Sequence, residues 1–478
     1  MTEHELSLLN KNLNEMSPED GQRIMHKLAH AKRVVDITSL IPGSGEEYLK
    51  DKQAFLDKYG IDLTTEDVDF LIAPSDPKEK LAIISDPKRV LQMPESFFRY
   101  RQFIGNKIAF RNLMIEKLCV PENAKMKKWR QRQIKRCNGA LGGLNEAFVH
   151  TVITYELATG CSVGCPFCGL DAGPLQKLFR YTPENTKLFR DVLKVCHEVL
   201  GDAAGQGMMY FATEPLDNPD YEKFENDFYE EFRCVPQITT AVPDRDIERT
   251  RRLVAELSNG RGFIHRFTIR SARMAEEILD KFTPEELVMV ELLPQFPEAP
   301  AFVPYVKVGR ETEDTDTPIA DGDPGTICCV DGFCVNFADK RFKLVSPERV
   351  SEVYPKGIYE SEWIGFDDAD DLKEKLTAYI DNELEQDIPK DRPLKMYDHL
   401  SVGKYKGKDA IISKYGEIIP MGEPYMIKVA ELLTEGAKTR EEIVKFITSE
   451  GNVPAENVFW YLNRLWDGGC IVEKMFEK

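Results

Sequence analysis

TYELATGCSVGCPFCGLDAG, residues 154–173, places Cys161, Cys165 and Cys168 in one short turn. Just upstream, HTVITYEL (150–157) is rich in β-branched residues and reads as a strand. Downstream, PENTKLFRDVLKVCHEVL (183–200) carries apolar residues at helical spacing. The three thiols therefore hang from the C-terminal end of a strand that opens a strand–helix series.

That series continues. GQGMMYFAT (205–213), VPQITTAV (235–242), GFIHRFTIR (262–270), LVMVELLP (287–294) and AFVPYVKVG (301–309) read as strands. Helical patterns near DYEKFENDFYEEF (220–232), PDRDIERTRRLVAELSNG (243–260) and SARMAEEILDKF (271–282) separate them. The alternation predicts an α/β fold with a parallel sheet and right-handed crossovers. With too few units for eight, the expectation is a partial (β/α)6 barrel. In such folds the chemistry sits at the C-terminal ends of strands, where the three cysteines lie.

The chain has 478 residues, which suggests two to four domains. Residues 1–145 read as a helical N-terminal region, from the spacing in EDGQRIMHKLAHAKRVVDI (19–37) and PESFFRYRQFIGNKIAFRNLMIEKL (94–118). Residues 146–320 hold the barrel, ending in the acidic connection ETEDTDTPIADGDPG (311–325). Residues 321–398 begin with GTICCVDGFCVNFADKRFKLVSP (325–347), which reads as a hairpin, and close the barrel. Residues 399–478 form a separate unit. Its strands lie in KDAIISKYGEIIPM, its three helices in EPYMIKVAELLTEG, KTREEIVKFITSEG and PAENVFWYLNRLWDGG, and a last strand in CIVEK. That order suggests a winged helix-turn-helix.

No apolar run is long enough to span a bilayer, and MTEHELSLLNKNLNEM is no signal peptide. The expectation is a cytoplasmic protein with no membrane partner and with reduced thiols. Its formal charge of −18 disfavours non-specific nucleic-acid binding. One basic cluster, KMKKWRQRQIKR (125–136), reads either as a solvated helix face or as a docking surface for an anionic partner. Of the 11 cysteines, Cys119, Cys137, Cys196, Cys234 and Cys470 stand alone and read as small buried hydrophobes.

Thiolates bind soft metals, so zinc and iron–sulfur are the choices. A structural zinc site closes its shell with four ligands, and no nearby Cys or His supplies the fourth. A [4Fe–4S] cluster held by three cysteines keeps one iron open. The spacing Cys161-xxx-Cys165-x-Phe167-Cys168 resembles the signature of the radical S-adenosylmethionine (SAM) superfamily. That resemblance implies a [4Fe–4S] cluster on Cys161, Cys165 and Cys168, SAM on the open iron, and cleavage of SAM to a 5′-deoxyadenosyl radical. FATEPLDNP (211–219) resembles the family's GGEP segment, with Ala212 and Thr213 where glycines are usual. It implies Glu214, flanked by Thr213 and Pro215, as acceptor for the SAM ammonium. Arg270 and Ser271, at the end of a later strand, are candidates for the SAM carboxylate and ribose.

The C-terminal unit resembles the PqqD-like winged helix that captures leader peptides of ribosomally made precursors by adding them to a sheet edge. DNA binding is disfavoured, because PAENVFWYLNRLWDGG offers one arginine and several apolar residues. The whole chain resembles radical SAM peptide epimerases of the polytheonamide (proteusin) type, through its helical N-terminal region, GCSVGCPFCG and GFCVNFADKRFKLVSP. The implied activity is an isomerase step: conversion of L-residues to D-residues in a ribosomally synthesised precursor peptide. It needs a cellular electron donor and a thiol that returns hydrogen to Cα. Cys328, Cys329 and Cys334 are the candidates. Cys329 is favoured because it precedes an Asp331-Gly332-Phe333 turn at the barrel mouth, and alternation turns Cys328 and Cys329 to opposite faces. Two other readings stay open. One is a radical SAM enzyme that crosslinks or otherwise matures peptides. The other is a metal- or cluster-bearing winged-helix regulator.

Overall fold

In a computed structural model of the protein, residues 15–72, 93–258, 260–303, 308–310, 325–416, 418–451 and 453–477 are described. The β-branched run after His150 extends as expected into β1 (Thr151–Glu156), every residue of which is buried. The other described strands follow in chain order: β2 (Ala158–Thr159), β3 (Lys177–Leu178), β4 (Thr239–Thr240), β5 (His265–Ile269), β6 (Val290–Pro294), β7 (Val330–Asn336), β8 (Arg341–Pro347), β9 (Ile358–Glu360), β10 (Ile364–Gly365), β11 (Leu400–Tyr405), β12 (Lys408–Ser413) and β13 (Ile418–Pro420). The architecture is mixed α/β. The chain divides into two compact units, the first comprising the described residues of Met1–Asn112, Glu214–Leu216 and Gln237–Pro304, the second those of Leu113–Thr213, Asp217–Pro236 and Tyr305–Lys478.

In the first unit, β4, β5 and β6 form a parallel sheet in that order. Helices Ile247–Ser258 and Ala272–Lys281 supply the crossovers. The core joins Phe267, Ile269 and Val290 of this sheet to Val34, Ile37 and Leu40 of the helix Pro18–Leu40. That helix starts on a Ser17 cap, whose side chain accepts from the Asp20 N–H, with Pro18 in its first turn.

In the second unit, β1 pairs in parallel with β7, running from Thr151 beside Val330 to Glu156 beside Asn336. β7 and β8 form the expected hairpin. The amphipathic segment after the cysteine loop becomes the helix Pro183–Leu200, capped by the Thr182 side chain. Near the C-terminus, β11–β12–β13 form an antiparallel sheet beside the helices Pro424–Glu435, Arg440–Gly451 and Ala455–Asp467.

Several expectations are corrected. The described parallel strands do not form one barrel sheet: β1 pairs with β7, and β4–β6 are a sheet of their own. GQGMMYFAT is not a strand; only Met208 bridges to Thr154. The Met208 carbonyl accepts from the Tyr155 N–H (2.7 Å) and from the Thr154 hydroxyl (3.0 Å), which also donates to the Tyr210 carbonyl (2.6 Å). Asp331-Gly332-Phe333 is not a turn but the middle of β7. Gly332 serves close approach instead, since a Cβ there would stand 1.9 Å from the Val152 carbonyl oxygen. CIVEK makes a single bridge, Ile471 to Met396, and then a 3-10 turn. Most of AFVPYVKVG and of the acidic connection lies outside the described residues.

The basic stretch 125–136 is split: Arg130, Arg132 and Arg136 are buried with Trp129, while Lys125, Lys127 and Lys135 are exposed. Arg132 pairs with Glu473 at 2.8 Å and Arg136 with Glu348 at 2.6 Å. Arg130 donates to the carbonyls of His150 and Val149.

Candidate functional site

The cysteine loop is closed at its neck. β2 and β3 pair antiparallel, Thr159 opposite Lys177, and the Cys161 N–H donates to the Gly173 carbonyl at 2.9 Å. Inside the loop, Cys168 N–H donates to Cys165 O (3.2 Å) and Asp171 N–H to Cys168 O (3.0 Å). These turns leave Cys161, Cys165 and Cys168 half-exposed. Asp217, from the FATEPLDNP segment, grips the loop by accepting the Ser162 N–H at 2.8 Å.

Leu170, on the same loop, packs against an apolar cluster that contains Cys328, Val330, Cys334 and Met208. Tyr210, Phe211 and Cys329 pack against it too. The three candidate hydrogen donors thus share one cluster with the cysteine loop. Cys328 and Cys334 are buried within it, and burial pushes both thiols well above their ordinary range. Cys329 is half-exposed.

Phe167 and Thr213 are half-exposed, and Pro215 is buried. Glu214 belongs to the first unit and is 4% exposed. Its carboxylate accepts from Thr240 Oγ1 (2.7 Å), Ala241 N–H (2.9 Å) and Leu216 N–H (3.0 Å). In the same unit Ser271 caps the helix Ala272–Lys281 by accepting the Met274 N–H at 3.2 Å. Arg270 reaches Asp244 at 3.9 Å, and its buried Nε has no hydrogen-bond partner.

Two buried groups were missed in the sequence. Glu156 closes β1 and accepts from Ala212 N–H (2.7 Å) and Asn336 Nδ2 (3.0 Å); burial raises it, and hydrogen bonds, one from the Cys334 thiol among them, oppose that rise. Its only signal is a carboxylate ending a buried apolar strand. His150 has a left-handed backbone (φ 50) and bonds Asp331 through Nδ1 at 2.5 Å. Cys137 joins them, with ligand atoms of all three within 4.8 Å of one another. The Arg136 charge acts on both Asp331 and Cys137, and that of Arg130 on Asp331, which makes this a poor place for a dication. Of the cysteines read as buried hydrophobes, Cys119, Cys137, Cys196 and Cys470 are buried and Cys234 is half-buried.

A second group within 4.8 Å is His26, His30 and Glu285 on the first unit. His30 Nδ1 already accepts the Asp62 N–H, so its other nitrogen carries the proton and is closed to a metal. Three half-exposed thiols on one pinned loop are a soft donor set, and that set fits an iron–sulfur group.

The fold and site define a mixed α/β protein with a pinned three-cysteine loop at the end of its first strand. The chain is 32% identical over 364 residues to the uncharacterized protein y4wI of Sinorhizobium fredii strain NGR234, covering 74% of this chain and 70% of that protein. It belongs to the y4wI family. No protein-family model matches it. Among solved structures, the crystal structure of BtrN in complex with AdoMet and 2-DOIA aligns with a TM-score of 0.25 at 18% identity, over 30% of this chain and 57% of BtrN. A superposition that loose carries no argument. Among the described residues no helix is long and apolar enough to cross a membrane.

Proposed function

We propose that the protein is a radical SAM enzyme that converts L-residues to D-residues in a ribosomally synthesised precursor peptide. The observation that carries the reading is the loop of Cys161, Cys165 and Cys168, half-exposed and closed at its neck after β1. These cysteines would hold a [4Fe–4S] cluster. With SAM bound, that group supplies a 5′-deoxyadenosyl radical that takes hydrogen from a peptide Cα. Phe167, Thr213, Glu214, Pro215, Arg270 and Ser271 are the proposed SAM contacts. A thiol among Cys328, Cys329 and Cys334 returns hydrogen from the opposite face: its S–H bond breaks as the new Cα–H bond forms. Burial supports this role for Cys328 and Cys334 by keeping them protonated. An electron from a cellular donor and a proton then restore the thiol.

A cleft and a strand edge in the second unit support the reading of a peptide partner. A cleft of about 480 Å³ is lined by Ile419, Trp460, Arg464 and Lys135, among others. Among the described residues β13 pairs with β12 alone, so an extended leader has a strand edge to join.

The test is anaerobic reconstitution with SAM, a reductant and a precursor peptide in deuterated water. One deuterium gained at Cα per converted residue supports epimerisation. Loss of two hydrogens would mean crosslinking or dehydrogenation, and the isomerase reading would fall. A chain that binds no SAM and makes no 5′-deoxyadenosine under reduction would instead fit the metal- or cluster-bearing winged-helix regulator.

A further inference from the structure

The cysteine loop is also gripped from far along the chain, by the segment Val308–Arg310. The Arg310 N–H donates to the Cys168 carbonyl at 3.1 Å. Its guanidinium spreads over the same loop. Nη1 donates to Cys165 O at 3.2 Å, Nε to Asp171 Oδ1 at 3.1 Å, and Nη2 to the Ala172 carbonyl. Gly309 lets this segment come close. Its φ is +57°, and a Cβ there would stand 2.5 Å from Gly169 O and 2.6 Å from Cys168 O.

We infer that Arg310 is the positioning residue of the cluster loop: its fork holds the backbone from Cys165 to Ala172 in the shape that receives the cluster, and its charge sits beside the ligands. The inference rests on the reading of Cys161, Cys165 and Cys168 as cluster ligands. The chemistry suits the task. Three thiolates crowded on one loop repel one another, and a cation among them lowers that cost. A planar fork meets three separate acceptors in fixed directions, which a lysine ammonium cannot do. Partners that orient ligands from outside the coordination shell typically change metal affinity by about 10–100-fold when removed.

The experiment compares wild type with Arg310→Ala, Arg310→Lys, Gly309→Ala and Asp171→Asn, all reconstituted anaerobically. It reads iron and sulfide per chain, iron loss to a chelator, the electron paramagnetic resonance of the reduced cluster, and its midpoint potential. Arg310→Ala should lose iron about 10–100-fold faster. Its potential should fall, because the reduced cluster carries more negative charge and has lost a neighbouring cation. Arg310→Lys should keep the potential but lose iron faster, since the charge remains and the fork does not. Gly309→Ala should also lose iron faster. Asp171→Asn should move the potential up, because the Arg310 charge is then no longer offset. Should Arg310→Ala fail to fold, the lysine and Asp171→Asn variants still decide. Wild-type iron retention in Arg310→Ala, or in Arg310→Lys, overturns the proposal. So does an unchanged potential in Asp171→Asn. A wild-type chain that takes up no iron is a different failure, that of the cluster reading itself.

Discussion

Replacing Arg136 with methionine separates two meanings of a basic helix. Arg136 is 1% exposed. Its guanidinium pairs with Glu348 at 2.6 Å, donates to Ser346 Oγ at 2.9 Å and to the Pro347 carbonyl, and takes Gln133 Oε1 through Nε at 2.7 Å. The group also lies 4.4 Å from the centre of the Phe476 ring. Methionine fills much of the volume and keeps the ring contact, but it leaves the buried Glu348 carboxylate without its cation. Breaking a buried pair from one side costs about 3–5 kcal/mol. With a urea dependence of about 1–3 kcal/mol per molar, the unfolding midpoint should fall by about 1–5 M. Tryptophan emission is the readout, because Trp129 and Trp466 are buried on the helices Ala124–Leu141 and Ala455–Asp467. Arg136→Met/Glu348→Met should recover most of the loss, since an apolar pair of similar volume is about neutral. A midpoint shift under about 0.5 M for the single variant, or a double variant no better than the single, would refute the reasoning. Affinity for an anionic peptide, measured well below the transition, should not change.

Three further outcomes are expected. Trp460→Ala, at a side chain 53% exposed in the cleft beside β13, should weaken leader-peptide binding by about tenfold or more while leaving the unfolding midpoint in place. Fluorescence anisotropy with a labelled leader checks it, and unchanged affinity would move the peptide site elsewhere. His399 is pushed down to about 3 by burial, then by the nearby Arg136 and Arg349 charges. Its folded value lies below the unfolded value of about 6.5, so the stability it contributes is full above about pH 6.5. That stability is lost as pH falls toward the folded value, about 2 kcal/mol of it by pH 5. His399→Gln should flatten the dependence of unfolding free energy on pH over that window, and a parallel curve would contradict the assignment. Gly332→Ala should abolish soluble expression or lower the melting temperature sharply, because its Cβ would meet the Val152 carbonyl carbon at 2.2 Å between β1 and β7.

Elements whose signals are local could be read from the chain. The helix Pro183–Leu200 follows from its Thr182 cap, its Pro183 and its apolar spacing, and β1 follows from TVITYE. Where the deciding partner is distant, the reading goes wrong. A row of arginines at 130, 132 and 136 looks like a wet face until Glu473 and Glu348 arrive from 341 and 212 positions away. A glycine between Asp331 and Phe333 looks like a turn until β1 is laid against it. The apolar run at Met208 looks like a strand, yet it meets β1 at a single bridge, Met208 to Thr154. The cysteine loop obeys the same division. Its thiols and their spacing are local, and they name the chemistry. What keeps the loop in one shape comes from elsewhere: Asp217 is 55 positions from Ser162, and Arg310 is 145 positions from Cys165. Those two residues shape the loop without being ligands themselves. Substitutions at Asp217 and Arg310 that spare every cysteine therefore test the site more sharply than substitutions of the cysteines, which would abolish any metal bound there for whatever purpose.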